Sequence, residues 1–228
     1  MERFPFRPTV GGVAALATPV TADTARASAS DAVTTTDWRH GVPVLAGDLV
    51  TLRELCAADA PALCAMLTTE EVSRFITPPP TTVAGFEQFI AWTHAERKSG
   101  RFFCYGLVPA GMTTAIGIIQ VRALDTSFSL AEWGFVIGAP FWGTGMFPEA
   151  ARLVVDFACG TVGVHRLEAR AAIANGRGNG ALRKIGAVQE GVLRQAFLRN
   201  GHYHDQVLWS ILAGDWRVQR MDRAPRVH

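Results

Sequence analysis

Hydrophobic and polar residues alternate, or recur at helical spacing, through most of the chain after residue 45. Val50 and Leu52 alternate with polar neighbours in LAGDLVTLREL, which predicts a half-buried strand. The segment APALCAML has helical spacing, with Asp59 placed to cap the helix and Pro61 in its first turn. VAGFEQFIAWTHAERKSG predicts a second helix, which ends at Gly100.

Three strand-like segments follow, RFFCYGLVPA, TAIGIIQVRAL and SLAEWGFVIG, and the short turns between them suit an antiparallel meander. The pattern then predicts a helix from near Gly145, a strand in VHRLEARAAI and a short helix in NGALRKIGA with Gly186 near its end. Two last strand-like segments flank RNGHYHD. This order of elements predicts a single mixed α/β (α+β) domain.

The two ends of the chain lack this periodicity. Residues 1–44 are rich in Ala, Thr, Ser and Pro, so we predict a disordered N-terminal tail. The folded domain is then expected to span residues 45–215, and residues 216–228 to form a short C-terminal tail. A length of 228 residues suits one domain of this kind.

Charge and composition exclude several classes of protein. The net charge is only +2 and no run of Lys or Arg forms a patch, so no nucleic-acid partner is expected. No segment reaches the roughly 20 apolar residues that span a bilayer, so no membrane contact is expected. The early segment VGGVAALATPVTA imitates a signal peptide, but it is short and interrupted by glycine and proline. We therefore expect a cytoplasmic protein, either a monomer or a homodimer.

Neither the cysteines nor the histidines predict a metal site. The four cysteines are scattered without CxxC spacing, which argues against a structural zinc site and against a disulfide framework. His202 and His204 share one face of a strand in GHYHD, but the stretch offers no third or fourth ligand. We predict a protein without a bound metal.

A Gly-Thr-Gly turn lies between a strand and a helix in EWGFVIGAPFWGTGMFPEA. The first backbone N–H groups of a helix have no acceptor within the helix, and glycine at 143 and 145 removes side chains that would block an anion. The loop is too short for a P-loop, and the preceding hairpin-linked strands do not form a Rossmann unit. At this stage, a phosphate-binding loop and a tight turn that simply requires glycine both remain open.

The series of strand, PFWGTGMFPEA, helix, strand and NGRGNGALRKIGAVQEGVLR resembles the GCN5-related N-acetyltransferases (GNAT), and within them the RimJ/RimL-type enzymes. The resemblance covers about residues 45–215. It implies a mostly antiparallel sheet with splayed central strands, flanked by helices on both faces. It also implies acetyl-coenzyme A as co-substrate and an amine acceptor, either a protein N-terminus or a small molecule.

The resemblance further implies which residues hold the coenzyme. The free backbone edge of Phe135, Val136 and Ile137 would pair with the pantetheine arm, as an added strand pairs with a sheet edge. Asn175 would contact the same arm, although Asn is also a good helix N-cap. The remaining coenzyme residues are expected around the pyrophosphate and the other phosphates: Trp142, Gly143, Thr144, Gly145, Met146, Phe147 and Lys184.

Acetyl transfer to an amine needs a group that accepts a proton. Glu132 is the first candidate, because it lies in an otherwise apolar strand beside the proposed acyl site and the resemblance places an acidic residue there. A carboxylate that faces solvent or pairs with an arginine is the alternative. Glu190, which follows the second motif, is the second candidate. Two positions depart from the family pattern: Leu182 replaces a common tyrosine, and Gly178 replaces a common serine.

Two other functions stay open from the sequence. The missing tyrosine and serine are compatible with a non-catalytic module that binds acyl-coenzyme A. A transferase of a longer acyl group, such as succinyl, is the other alternative, and an arginine near the acyl pocket, for instance Arg122 or Arg170, would favour it.

Overall fold

The computed structural model describes residues 37–223, with side chains to residue 220. The predicted elements occur in the predicted order and confirm the mixed α/β class. The regular elements are β1 (Leu45–Ala46), β2 (Val50–Arg53), α1 (Ala60–Leu67), α2 (Glu70–Ser73), α3 (Val83–Lys98), β3 (Phe102–Pro109), β4 (Gly117–Ala123), β5 (Leu130–Ile137), α4 (Met146–Phe157), β6 (Arg166–Ala172), α5 (Gly176–Ile185), β7 (Val188–Arg199), β8 (His202–Leu212) and α6 (Ala213–Arg223). Three of these elements, β1, α2 and α6, were not predicted.

All eight strands form one sheet in the order β1-β2-β3-β4-β5-β6-β8-β7. Neighbouring strands are antiparallel except for β5 and β6, which are parallel. The sheet is therefore mostly antiparallel, as predicted, and β5 lies near its centre.

Two hydrophobic cores cover opposite faces of this sheet. On one face, Val154 and Phe147 of α4 pack in a core that includes Phe103 of β3. On the other face, Leu63 of α1 and Phe86 of α3 share a smaller core with sheet residues. Helices on both faces fix the strands of the meander between two packed layers, which gives β5 a rigid position.

The parallel pair β5 and β6 separates after a short contact. Pairing is limited to Leu130, Ala131 and Glu132 with their partners in β6, and the later residues of β5 have no partner on that side. The splayed central strands that the resemblance implies are thus present. The N–H of Gly138 donates to the carbonyl of Ile116 in the chain before β4. Because backbone groups alternate between strand edges, those of Ile137 face the open edge.

The same alternation corrects one detail of the predicted edge. Backbone groups of Phe135 and Ile137 face the open side, whereas those of Val136 face β4, with which Val136 pairs opposite Ile118. An added strand at this edge would therefore use Phe135 and Ile137 but not Val136.

The packed region extends beyond both predicted boundaries. Trp38 is 6% exposed and packs edge-on against Phe103 and Phe128, at 5.7 and 5.8 Å between ring centroids. The predicted tail boundary at residue 45 falls after this buried residue, and residues 1–36 lie outside the described residues. At the other end, α6 continues through the predicted C-terminal tail, where the buried Trp216 donates its indole N–H to Asp156 at 2.7 Å.

Asp59 does not cap α1 through its side chain, contrary to the prediction. Its fully buried carboxylate instead accepts the N–H groups of Cys56 and Ala115, both at 2.8 Å, and a bidentate contact from Arg53. Burial alone would raise the pKa of Asp59, but these hydrogen bonds outweigh it, and the pKa is lowered from 3.8. The residue joins β2, α1 and the start of β4. No helix within residues 37–223 is long and apolar enough to cross a membrane.

Candidate functional site

The divergence of β5 and β6 opens a cleft of about 520 Å³ between the end of β5, the glycine loop and the start of α5. This volume lies within the usual range for small-molecule sites. The cleft is lined by most of the residues predicted for the coenzyme: Phe135, Val136, Ile137, Trp142, Gly143, Gly145, Phe147, Asn175 and Lys184.

Two predicted residues do not line the cleft. The Thr144 hydroxyl donates to the carbonyl of Phe141 at 2.8 Å, so it stabilises the loop from within. Met146 packs against the larger hydrophobic core. Both residues therefore stabilise the loop and do not line the cleft.

The backbone geometry of the glycine loop explains its sequence. Gly143 and Gly145 have φ angles of 77° and 87°, in the left-handed region that favours glycine. A Cβ at Gly143 would meet nothing within 4 Å, so the backbone conformation rather than space requires glycine there. Gly145 is the N-cap of α4, and the N-terminal end of α4 therefore adjoins the cleft. Unpaired N–H groups and the positive end of the helix suit a phosphate.

Trp142 connects this loop to the open edge of β5. Its indole N–H donates to the carbonyl of Ile137 at 2.9 Å, so that this acceptor is already occupied. The Phe135 ring packs on Phe147 of α4, with 4.1 Å between ring centroids. The open edge and the glycine loop are thus fixed to each other by side-chain contacts.

The start of α5 forms the opposite wall. The Asn175 side chain accepts the N–H of Gly178 at 2.9 Å, so it acts as a helix N-cap while it also lines the cleft. A Cβ at Gly178 would lie 2.6 Å from Nδ2 of Asn175. A serine at 178 would therefore require the Asn175 side chain to shift.

Sequence reasoning missed one side of the cleft. Glu71 of α2 and Phe75 and Ile76 after it line the cleft, as does Arg177 of α5. The Arg177 guanidinium stacks over Trp142, with 3.5 Å between Cζ and the ring centroid. No local signal indicates that α2 lies opposite α5, because this proximity depends on tertiary packing.

A second, smaller cavity of about 60 Å³ adjoins the cleft and shares Phe75, Ile76, Phe135, Asn175 and Gly178 with it. Glu132 lines this cavity and is 3% exposed. Its carboxylate accepts Nη2 of Arg122 at 2.9 Å and lies 3.5 Å from Nη1 of Arg170. Glu132 is therefore paired with arginines, which was the alternative to its role as a base, and it also lines the small cavity.

The structure does not support Glu190 as a base for this site. It lines a different small cavity together with Ser210 and Trp216, none of which borders the cleft. Arg166 and then the Ser210 hydroxyl hydrogen-bond to its carboxylate and lower its pKa to about 2. A carboxylate held ionised to such a low pH is a poor proton acceptor.

His202 and His204 lie exposed on the β7–β8 hairpin. Within residues 37–223, no group of three His, Cys, Asp or Glu side chains is arranged to hold a metal ion.

An acetyltransferase (GNAT) domain model matches residues 50–188. The chain belongs to the GNAT acetyltransferase family. The match spans the meander, the glycine loop and the start of α5, that is, the elements that form the cleft. This membership confirms the predicted superfamily and identifies the chain as an acetyl-coenzyme-A-dependent acyltransferase.

Individual relatives agree with this family. The uncharacterized N-acetyltransferase YoaA of Bacillus subtilis (strain 168) is 30% identical over 173 residues, which cover 75% of this chain and 97% of YoaA. The ribosomal protein uS5-alanine N-acetyltransferase of Escherichia coli (strain K12) is 25% identical over 138 residues, 60% of this chain and 71% of that enzyme. These names support the RimJ/RimL-like branch.

Solved structures share the fold. The ribosomal-protein-S5-alanine acetyltransferase from Vibrio fischeri superposes with a TM-score of 0.67 at 19% identity, over 76% of this chain and 98% of that one. The microcin C7 self-immunity acetyltransferase MccE, solved with acetyl-CoA and AMP, superposes with a TM-score of 0.65 at 20% identity. The superposition covers 73% of this chain and 93% of the MccE chain.

One departure from the GNAT pattern bears on the chemistry. Leu182 is 1% exposed and lines the small cavity, so this chain has no side-chain hydroxyl at the position where the resemblance implies a tyrosine. A coenzyme thiol is a good leaving group that water can protonate. The departure therefore leaves transfer possible without a side-chain acid at this position.

Proposed function

We propose that this GNAT enzyme transfers the acetyl group of acetyl-coenzyme A to a primary amine, with Glu132 as the proton acceptor. The observation that carries the proposal is the open edge of β5. It runs from the glycine loop at one end to the small cavity of Glu132 at the other.

The chain's own groups suit two parts of the coenzyme, the pantetheine arm and the pyrophosphate. Backbone groups of Phe135 and the N–H of Ile137 can pair with the amides of the pantetheine arm. N–H groups of the loop that contains Gly143 and Gly145 suit the pyrophosphate. The coenzyme supplies an acetyl group activated as a thioester, and the cleft orients it next to the acceptor.

Among residues 37–220, Glu132 is the one carboxylate that lines the small cavity. Arg122 and Arg170 hold it in a fixed orientation from two sides. The cavity has room for a few ordered waters or one small group. We propose that Glu132 takes the amine proton through such a water, because both of its oxygens already have arginine partners.

The arginines near Glu132 do not favour a longer, acidic acyl group. Arg170 lies within 3.5 and 3.6 Å of Glu132 and Glu168, and Arg122 binds Glu132. Their charge is balanced by carboxylates of the sheet, so neither provides a dedicated partner for a succinyl carboxylate. This supports acetyl as the transferred group.

The acceptor class rests on the relatives. The E. coli relative is named for the alanine of ribosomal protein uS5, so we propose the N-terminal amine of a protein as the first acceptor to test. Small amines remain in the test panel, because acceptor choice depends on the side chains around the small cavity.

The test is release of free thiol from acetyl-coenzyme A with a panel of peptide N-termini and small amines. The E132Q variant should lower kcat by about 10²- to 10⁴-fold, the usual contribution of a general base, and should retain acetyl-coenzyme A binding. E168Q is the matched control, because Glu168 lies in β6, the strand next to β5, and pairs there with Arg170 but lines neither cavity. A kcat for E132Q within twofold of wild type contradicts the assignment. Binding without turnover on any acceptor would indicate a non-catalytic module.

A further inference from the structure

One pair of opposite charges spans the mouth of the cleft. Arg177 lies in the first turn of α5, and its Nη1 is 3.8 Å from Oε1 of Glu71 in α2. The same guanidinium stacks 3.5 Å above the ring of Trp142, the residue that directly precedes Gly143. The charge of Arg177 therefore lies beside the glycine loop, between the two walls of the cleft.

The contact with Glu71 is weak by its geometry and exposure. The two side chains are 59% and 65% exposed, and ion pairs of this kind contribute little in water. A guanidinium stacked on an aromatic ring can keep that contact while its edge donates hydrogen bonds elsewhere. Its planar fork fits two phosphate oxygens, and such charge-assisted bonds are stronger than an exposed ion pair.

The charges that line the cleft are limited to these residues and Lys184 among the described residues. An anion that enters the cleft therefore meets two cations and one competing carboxylate. Glu71 is the carboxylate that an incoming phosphate would have to replace.

We propose that Arg177 binds a phosphate group of the coenzyme by exchanging Glu71 for it, while it stays stacked on Trp142. Glu71 then competes with the coenzyme and weakens its binding. This inference rests on the proposed binding of acetyl-coenzyme A in the cleft. The phosphate is either the pyrophosphate or the 3′-phosphate, and the test below distinguishes them.

The test is calorimetric titration of wild type, R177Q, E71Q and the double variant with acetyl-coenzyme A and with its 3′-dephospho form. R177Q should weaken the binding of acetyl-coenzyme A about tenfold, which is the effect of losing one charge-assisted contact. E71Q should tighten binding about two- to threefold, since the competing carboxylate is gone. In the R177Q background E71Q should have a smaller effect on binding, a dependence that a general loss of structure would not produce.

R183Q is the matched control, because Arg183 lies on the same helix and stacks on Trp209 at 5.8 Å but does not line the cleft. If R177Q loses affinity for acetyl-coenzyme A but not for the 3′-dephospho form, Arg177 binds the 3′-phosphate. If it loses affinity equally for both ligands, Arg177 binds the pyrophosphate. R177Q that binds as wild type does, or E71Q without tighter binding, overturns the exchange and leaves the proposed function intact. Wild type that binds neither ligand overturns both.

Discussion

The Glu190 carboxylate is tightly held although it lies at the surface. Both of its oxygens accept hydrogen bonds from the Arg166 guanidinium, and the Ser210 hydroxyl donates to it at 2.7 Å. These contacts lower the pKa of Glu190 from 4.5 to about 2, mainly through the bond from Arg166. The residue joins β6, β7 and β8 and has a structural role.

This shift predicts a specific dependence of stability on pH. A carboxyl group whose pKa falls on folding stabilises the folded chain above about pH 4.5, and the contribution is lost as pH falls towards 2. In urea unfolding between pH 6 and pH 3, wild type should lose more stability than E190Q. Exposed pairs are screened, so the difference should be about 1 kcal/mol or less and smaller in high salt. Parallel curves for the two proteins would contradict this role.

The two catalytic candidates show what the sequence can establish at single residues. Glu132 lies in a strand with a local apolar pattern, so its burial could be predicted from the sequence, whereas its place beside the open edge came from the family resemblance. The partner of Glu190 is Arg166, 24 residues earlier in the chain, and their contact depends on the order of β6, β8 and β7. No local pattern encodes that order.

At the scale of elements, the junction between β6 and α5 determines the wall of the cleft. Asn179 is 9% exposed, and its amide donates to the carbonyls of Ala172 and Asn175, both at 2.9 Å. Its carbonyl accepts the indole N–H of Trp209 in β8 at 2.9 Å. One side chain thus fixes the end of β6, the start of α5 and the neighbouring strand.

N179A should therefore destabilise the domain by about 2 kcal/mol, because it leaves the buried Trp209 N–H without its acceptor. It should also weaken acetyl-coenzyme A binding, since Asn175 and Arg177 lie in the turn that it releases. Equilibrium unfolding and calorimetry on the same samples measure the two effects. W209F removes the indole N–H that donates to Asn179. N179A should therefore lower the free energy of unfolding by less in the W209F background than in wild type. An equal loss of stability from N179A in both backgrounds would argue against the hydrogen bond between Trp209 and Asn179.

Elements with local signals could be predicted, and contacts between distant elements could not. The glycine loop, the hairpins and α4 follow from turn residues and periodicity. The splay of β5 and β6 came from the family resemblance, since nothing in either strand indicates that their pairing ends at Glu132. The position of α2 opposite α5, and with it Glu71 opposite Arg177, is a consequence of tertiary packing.

At the scale of the whole molecule, the packed domain begins earlier and ends later than its periodicity predicts. Trp38 and Val42 are buried in the short segment before β1, and Arg97 of α3 donates to the carbonyl of Arg39 beside Trp38. Isolated anchors of this kind leave no periodic pattern. The centre of the domain, by contrast, has continuous apolar strands, so its fold class could be predicted.

The glycine loop and the open edge of β5 are proposed to bind acetyl-coenzyme A together. The most direct measurement is calorimetric titration of acetyl-coenzyme A into wild type and into G145E, which places a carboxylate at the N-cap of α4. G160E adds the same charge at an exposed glycine where a Cβ would meet nothing within 4 Å, and it serves as the control.

Wild type and G160E should bind with similar affinity. G145E should lose at least about 100-fold in affinity for acetyl-coenzyme A. Its carboxylate would repel the coenzyme's phosphates and block the loop sterically, and a φ of 87° disfavours any side chain there. Circular dichroism must show that G145E remains folded. A folded G145E that binds as wild type does, or a wild type that binds no coenzyme, would contradict the claim, and the loop would then be only a turn.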